Sequence, residues 1–397
     1  MLLLYPLGLA LVFIFLSILF PALLSKENLL QYDALHYLRI ADSKYVGMEV
    51  AFFPLFPKVW GLLGADALIA SIMNAIIFFG SFYYLKNELE IKRKWFPFIL
   101  AVPGMVFFLV PYTESFFFFG STLLILGLKK DETTLTSVGI LIACLSRPAF
   151  TVFIPAFLVL FILLDGQVKS KLRQLSIYLG VIILGAALVA LIQYMDTGEW
   201  FKFLKAQGEW DNELRVPSFP LRSWDDQLVI RYDGLALLIG LISSGVLLNE
   251  LIQKIKNKKV YKIPVEVLFS LLYLAGISFA VLLYRGGSLF SLNRFVFSSV
   301  FFVVVLHYYL TLKWEISWKL SLNIFLGLNL YWLLFGSYVH IAFMLKFIML
   351  CIFLWIFLLI KMERRHIGKF SYWFCLIVMF EFQVYLMVRY LDGQWIG

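Results

Sequence analysis

A succession of apolar runs, each long enough or nearly long enough to cross about 30 Å of hydrocarbon, sets the terms for everything else in this chain. Short connections separate them, and lysines and arginines recur in those connections. Backbone polar groups in lipid must be satisfied within the segment, and for runs of this kind only helices achieve that. About 13 such segments can be placed: 2–24, 66–85, 96–111, 115–128, 135–146, 149–164, 174–194, 229–252, 264–284, 295–312, 319–338, 340–360 and 370–390. Composition agrees, with 62% hydrophobic residues and a mean hydropathy of +0.89, against an apolar share of roughly 45–50% in soluble domains. The expected fold class is all-α, a polytopic membrane helical bundle forming one integral membrane domain over 1–397.

The first run, 2–24, has no positive segment before it and no small-residue cleavage site before Lys26, so it reads as a retained helix and not a signal peptide. Cys144, Cys351 and Cys375 all fall inside apolar runs, where thiols behave as small hydrophobes. Neither a disulfide framework nor a thiolate metal site is supported. The sequence holds no soluble domain, internal repeat, low-complexity tract or Gly-rich phosphate loop, so a nucleotide-binding function has no support.

The net charge of +9 would suggest acidic or nucleic-acid partners in a soluble protein, but its distribution gives another account. With the N-terminus inside, the inner connections 86–94, 129–130, 169–173, 254–262, 313–319 and 361–369 hold 20 of the 34 basic residues, and about 9 of the 25 carboxylates lie on the inner side once the flanking helix ends are included. That is the positive-inside pattern, and no nucleic-acid partner is needed to explain it. Residues 135–164 decide the parity. Read as one helix they would turn the lysine-rich segment 254–262 outward; read as a hairpin broken at Ser146-Arg147-Pro148 they keep it inside. The hairpin is the expected form, with Arg147 at its outer tip or, as half-helices, at membrane depth.

Two outer loops are large, 25–65 and 195–228. The second carries Asp196, Glu199, Glu209, Asp211, Glu213, Asp225 and Asp226 beside Trp200, Trp210 and Trp224. In the first, Asp33 and His36 stand three residues apart and share a face if 28–43 is a short interfacial helix. Such a pair suits a general base with an orienting imidazole, although an ordinary solvated surface helix has the same spacing. Glu114 lies in a Pro-Tyr-Thr-Glu-Ser turn at the outer mouth, where capping of the next helix is the plainer role. Arg147, Arg285 and Arg294 sit at outer helix ends: either they snorkel to lipid phosphates, or they hold the phosphate of a lipid-linked substrate with their forked donors. Gly286 and Gly287 beside Arg285 would let a ligand approach the backbone. Lys346 and Glu381 are expected to form a structural ion pair across the bundle.

Asp33, His36, Glu114, Arg147 and Arg294 fall in segments that carry a family resemblance: Tyr-Asp-Ala-Leu-His-Tyr-Leu-Arg-Ile-Ala (32–41), Ala-Phe-Phe-Pro-Leu-Phe-Pro (51–57), Pro-Tyr-Thr-Glu-Ser-Phe (111–116), Ser-Arg-Pro (146–148), Phe-Leu-Lys-Ala-Gln-Gly-Glu-Trp (203–210) and Asn-Arg-Phe (293–295). In these motifs and their order the chain resembles the GPI mannosyltransferase II (PIG-V-like) family and its bacterial relatives, multi-pass glycosyltransferases of the GT-C class. The resemblance implies a GT-C-like fold, Asp33 as catalytic base, and a sugar donor on a polyprenyl monophosphate. Substrate contacts are expected from His36, Glu114, Arg147, Arg285, Arg294, Gln207 and Trp210, all but Arg285 lying in these motifs. The chain departs from the family by Tyr32 where a Trp usually precedes the Asp and by Ala149 where an Asn commonly follows Arg-Pro; the base is untouched, while sugar identity and acceptor contacts are affected.

The function expected is therefore an inverting, extracytoplasmic glycosyltransferase, most simply a mannosyltransferase, moving a sugar to a lipid- or glycan-linked acceptor within the membrane lipids. No cofactor is expected: a monophosphate leaving group carries less charge than a diphosphate, so arginines suffice, although Asp225-Asp226 leaves a divalent metal open. Two other classes compete. A lipid-linked saccharide flippase would more often show inverted repeats and polar residues at the midplane, and a non-catalytic partner in a glycosylation complex would tolerate loss of Asp33.

Overall fold

A computed structural model of the protein describes residues 25–210, 212–224, 227–256, 263–313, 316–361 and 365–397. The expected first segment, 2–24, lies outside the described residues, as do Asp211, Asp225-Asp226 and 257–262 of the lysine-rich connection. Among the described residues the regular structure is helical, with one isolated parallel bridge between Arg222 and Ser288. In chain order the helices are α1 (Asp33–Asp42), α2 (Leu55–Leu62), α3 (Ala67–Glu88), α4 (Trp95–Leu100), α5 (Glu114–Lys130), α6 (Thr133–Ser146), α7 (Phe153–Leu163), α8 (Val168–Thr197), α9 (Lys202–Glu209), α10 (Gln227–Ile255), α11 (Val265–Tyr284), α12 (Leu292–Phe297), α13 (Val300–Thr311), α14 (Trp318–Tyr331), α15 (Ile341–Leu358) and α16 (Arg365–Leu391).

Six of the described helical spans are long and apolar enough to cross a membrane: Ala67–Glu88, Val168–Thr197, Leu228–Ile255, Val265–Tyr284, Ile341–Lys361 and His366–Leu391. The expected segments at 96–111 and 295–312 are broken. The first becomes α4 followed by a 3₁₀ turn, Pro103–Phe108, buried on all sides. Pro103 lacks the amide that a continuous helix needs, and a Cβ at Gly104 would stand 2.6 Å from that of Phe297, so this stretch is pressed against α12. The second breaks between α12 and α13, where Ser298 and Ser299 turn the chain and Ser299 caps α13 at the Phe302 amide.

Helices α5 and α6 form a tight hairpin about a left-handed turn at Asp131. Its seam is made of small residues: a Cβ on Gly139 would lie 2.3 Å from the Leu124 amide nitrogen, and one on Gly127 2.4 Å from that of Thr136. Close backbone approach of this kind is how helices associate where burial of apolar surface supplies no drive. The hairpin brings Glu114, at the start of α5, and Arg147, just past the end of α6, to the same end of the bundle.

Beyond Arg147 the chain reverses. α6 and α8 run side by side in one direction, since Gln174 donates to Asp131 (3.1 Å) and Gly185 packs on Cys144. α7 runs back, Phe157 and Phe161 both meeting Tyr178 of α8, and the Lys254 ammonium reaches the Leu163 carbonyl at its far end (2.8 Å). The broken form of 135–164 is thus the one present.

The two ends of the bundle differ in charge. At one end Lys130 pairs with Glu88 (2.8 Å), Lys171 takes the Leu164 carbonyl (2.7 Å), Lys254 those of Leu163 and Leu164, and Lys361 those of Leu310 and Leu312. These lysines satisfy carbonyls that helix termini leave open. At the other end lie Asp33, Asp66, Glu114 and Asp196. There Asp66 caps α3 at the Leu68 and Ile69 amides and pairs with Lys26 (2.7 Å). Lys346 and Glu381 both occupy exposed positions, on α15 and α16. In sealed vesicles, a cysteine replacing exposed Glu213 is expected to react with an impermeant maleimide from the face opposite to one replacing Lys256; labelling of both from one side would contradict this polarity.

Candidate active site

Four charged side chains far apart in sequence form one buried chain of ion pairs. The Arg147 guanidinium donates to Glu114 Oε1 (3.0 Å), Arg294 Nε donates to the same oxygen, and another nitrogen of Arg294 donates to Asp33 Oδ2 (2.5 Å). The side chains of Glu114, Arg147 and Arg294 are 0%, 5% and 4% exposed, whereas that of Asp33 is 21% exposed. Asp33 is thus where solvent or a ligand meets the chain, and among the described residues its hydrogen bond is to Oδ2, with none to Oδ1.

Aromatic rings wall in the cations. Arg294 lies over Tyr112 (4.4 Å to the ring centre) and Phe107 (5.7 Å), and Arg147 over Phe295 (4.6 Å) and Phe117 (5.6 Å). Such contacts offset part of the cost of removing a guanidinium from water. Neither arginine snorkels. Glu114 does more than cap a helix, since its Oε1 accepts from both, while Oε2 is buried without a partner among the described residues. Asn74 of α3 fixes the turn before Glu114 by donating to the Val110 and Tyr112 carbonyls (2.6 and 2.7 Å), and Thr113 donates to the Ser146 carbonyl (3.0 Å) next to Arg147.

Asp33 is the first residue of α1. Tyr32 before it has φ +51, a region costly for a residue with a Cβ. It is held there by its hydroxyl on the Gly393 carbonyl (2.7 Å) and by the edge of its ring on Trp395 (4.8 Å between centroids). Strain beside a reachable carboxylate is a mark of function more than of stability.

His36 turns to a neighbouring group. Its Nδ1 lies 3.4 Å from Glu49 Oε1, which also accepts from Arg39 (3.0 Å), and its ring stacks on Phe52 (4.9 Å) with Trp210 edge-on (5.6 Å). Burial pushes the Glu49 carboxyl up, but hydrogen bonds from Arg39, its own backbone and His36 outweigh this and hold it below the usual range. Gln207 and Arg285 are tied together through Asn212, which donates to Gln207 Oε1 (2.9 Å) and accepts from Arg285 Nε (2.8 Å). Arg285 also donates to the Phe290 carbonyl and covers that ring. Beside it the second loop is strapped to the end of α11: Ser218 donates to the Gly286 carbonyl (3.0 Å), and a Cβ on Gly287, at φ +93, would strike the Ser218 carbonyl at 2.6 Å. Asp33, Glu114, Arg147 and Arg294 therefore converge, while His36 with Trp210 and Gln207 with Arg285 make two further groups, built from the loops 25–65 and 195–228 and the end of α11.

Sequence reading missed Glu49, Tyr112 and Asp233. Asp233 lies fully buried in α10, accepting from the backbone amide and the side chain of Asn293 (2.8 Å each) and from the Ser223 hydroxyl. An acid inside the apolar run 229–252 was the available signal. Among the described residues no group of three or more His, Cys, Asp or Glu side chains is placed to hold a metal ion. No protein-family model, curated protein or solved structure matches the chain.

Removing Glu114 strands two buried guanidiniums, so Glu114→Ala is expected to cost about 3–5 kcal/mol, the usual penalty for breaking a buried pair, read as a lower thermal midpoint in detergent. A variant as stable as the parent would show that the ion chain is not buried as described. Because the folded Glu49 carboxyl titrates below its unfolded value, its contribution is present above the ordinary carboxylate range and is lost as pH falls through the lowered value. Glu49→Gln is expected to flatten the acid limb of the stability curve; an unchanged limb would remove Glu49 from it.

Proposed function

We propose that this chain is an inverting glycosyltransferase, most simply a mannosyltransferase, that moves a sugar from a polyprenyl phosphate to a lipid- or glycan-linked acceptor at the extracytoplasmic face. We read its bundle as GT-C-like with 13 membrane segments, the short and broken helices included. The observation that carries the reading is Asp33: it is the most exposed member of a buried four-charge chain, its Oδ2 fixed by Arg294 and its Oδ1 left open to a hydroxyl.

In the reaction, Asp33 Oδ1 accepts the proton of the acceptor hydroxyl as its oxygen bonds to the anomeric carbon. The bond from that carbon to the phosphate oxygen breaks, and the lipid monophosphate leaves with the electron pair. A single displacement inverts the anomeric centre. Arg294 has N–H groups beyond the two that hold Glu114 and Asp33, and these suit the phosphate oxygens of the donor. Arg147, one link further in, holds Glu114 Oε1 from the other side and so keeps Arg294 in place. The acceptor approaches from the outer loops, where His36 and Trp210 offer aromatic surface and Gln207 and Arg285 offer hydrogen bonds. A metal is not required by this scheme, and Asp225-Asp226 keeps one open.

A non-catalytic reading has one observation in its favour, that both arginines already have carboxylate partners and could serve only to tie helices together. The two readings part at Asp33. With purified protein and a panel of polyprenyl-phosphate sugars, the wild type is expected to consume one of them, and Asp33→Asn to lose at least about 10²–10⁴-fold in turnover, the usual contribution of a positioned base. Donor binding and folding are expected to survive, because Asn keeps the shape and an acceptor oxygen for Arg294. Turnover at the wild-type rate would remove Asp33 as base, and direct use of a nucleotide sugar would overturn the donor.

A further inference from the structure

The six-residue helix α12, which carries Arg294, has no cap of its own. Ser291 before it sits at φ +63 and makes no side-chain cap hydrogen bond. Its opening donors instead point to another helix: the Asn293 backbone amide and the Asn293 side chain both end on Asp233 Oδ1 (2.8 Å each), and the other oxygen of Asp233 is held by Ser223 of the second outer loop. At the far end Ser298 donates to the Gly104 carbonyl (2.7 Å), so the short helix is clamped on both sides.

We propose that Asp233 is a positioning residue for Arg294, a helix cap supplied from α10 that fixes the angle at which the guanidinium is delivered to Asp33 and to the donor phosphate. This rests on the reading of Arg294 as the phosphate contact. A helix this short has too few internal hydrogen bonds to hold its own direction, and Arg294 must satisfy Glu114 and Asp33 at once, so a small rotation of α12 breaks one of the two pairs. The link also ties the second outer loop, through Ser223, to the same cation.

The chemistry needed of residue 233 is acceptance, not charge. Asn there keeps Oδ1 for both Asn293 donors, and its amide donates to the Ser223 oxygen in place of the hydroxyl's present bond. Leu keeps the volume and none of the hydrogen bonds. With undecaprenyl-phosphate mannose as first probe, or whichever panel donor the wild type consumes, Asp233→Asn is expected to stay within about threefold of wild type in donor KM and kcat. Asp233→Leu is expected to raise donor KM at least about tenfold, the loss of roughly one charge-assisted hydrogen bond, with a smaller change in kcat. If the Leu variant yields no folded protein, Ser223→Ala, which removes only the hydroxyl steering the carboxylate, is expected to raise donor KM several-fold. A folded Asp233→Leu, or failing that Ser223→Ala, with wild-type donor KM overturns the proposal, as does an Asn variant as impaired as Leu.

Thermal unfolding supplies a readout that needs no substrate. Asp233→Leu or Ser223→Ala combined with Arg294→Ala is expected to lower the midpoint by clearly less than the two single shifts together, because one loss already includes the other. Additive shifts overturn the proposal. A wild type that consumes no donor on the panel, with the midpoint shifts still non-additive, would instead sink the enzymatic reading and leave Asp233 as the residue that places Arg294.

Discussion

One carboxylate oxygen organises this end of the molecule. Glu114 Oε1 receives both Arg147 and Arg294, and Arg294 passes the connection on to Asp33. Buried ions are costly unless they are paired and hydrogen-bonded, so any arrangement of the surrounding helices that separated these four side chains would be heavily penalised. Each elaboration around them serves that condition: the small-residue seam of α5 and α6 that returns Arg147 to Glu114, the Asn74 clamp on the turn before Glu114, and the rings of Tyr112 and Phe295 over the cations. Two cations and two anions leave the group formally balanced.

Much of this was legible from order and spacing. The parity of the apolar runs puts 129–130 at one end and both Glu114 and Arg147 at the other, and the α5–α6 hairpin has that arrangement. The lysine pattern predicts which helix ends lie together, and the cluster of Glu88, Lys130, Leu163 and Lys254 has that arrangement. Asp33 was singled out by its place in the first outer loop, and its contact with Arg294 spans 261 positions of sequence.

What escaped sequence reading was set by packing at a distance. Pro103 is a local sign that 96–111 breaks, but nothing local announces that it is enclosed, because a lipid-facing helix and a buried one are equally apolar; only Gly104 against Phe297 reveals the close approach. His36 shares a helix with Asp33, yet its direction is decided by Glu49 and Phe52 on the following turn. Asp233 lies within a strongly apolar run, and its role depends on a helix distant in sequence that lacks a cap of its own.

A structure of the protein with a bound polyprenyl-phosphate sugar is the most direct measurement of what these charges do. The expected result is a phosphate oxygen about 3 Å from the Arg294 guanidinium, a normal charge-assisted hydrogen bond, with the anomeric carbon facing Asp33 and the lipid tail leaving into the bilayer. A donor bound elsewhere, with the Asp33, Arg294, Glu114 and Arg147 chain closed and untouched, would contradict a catalytic role and mark the four residues as a brace between helices.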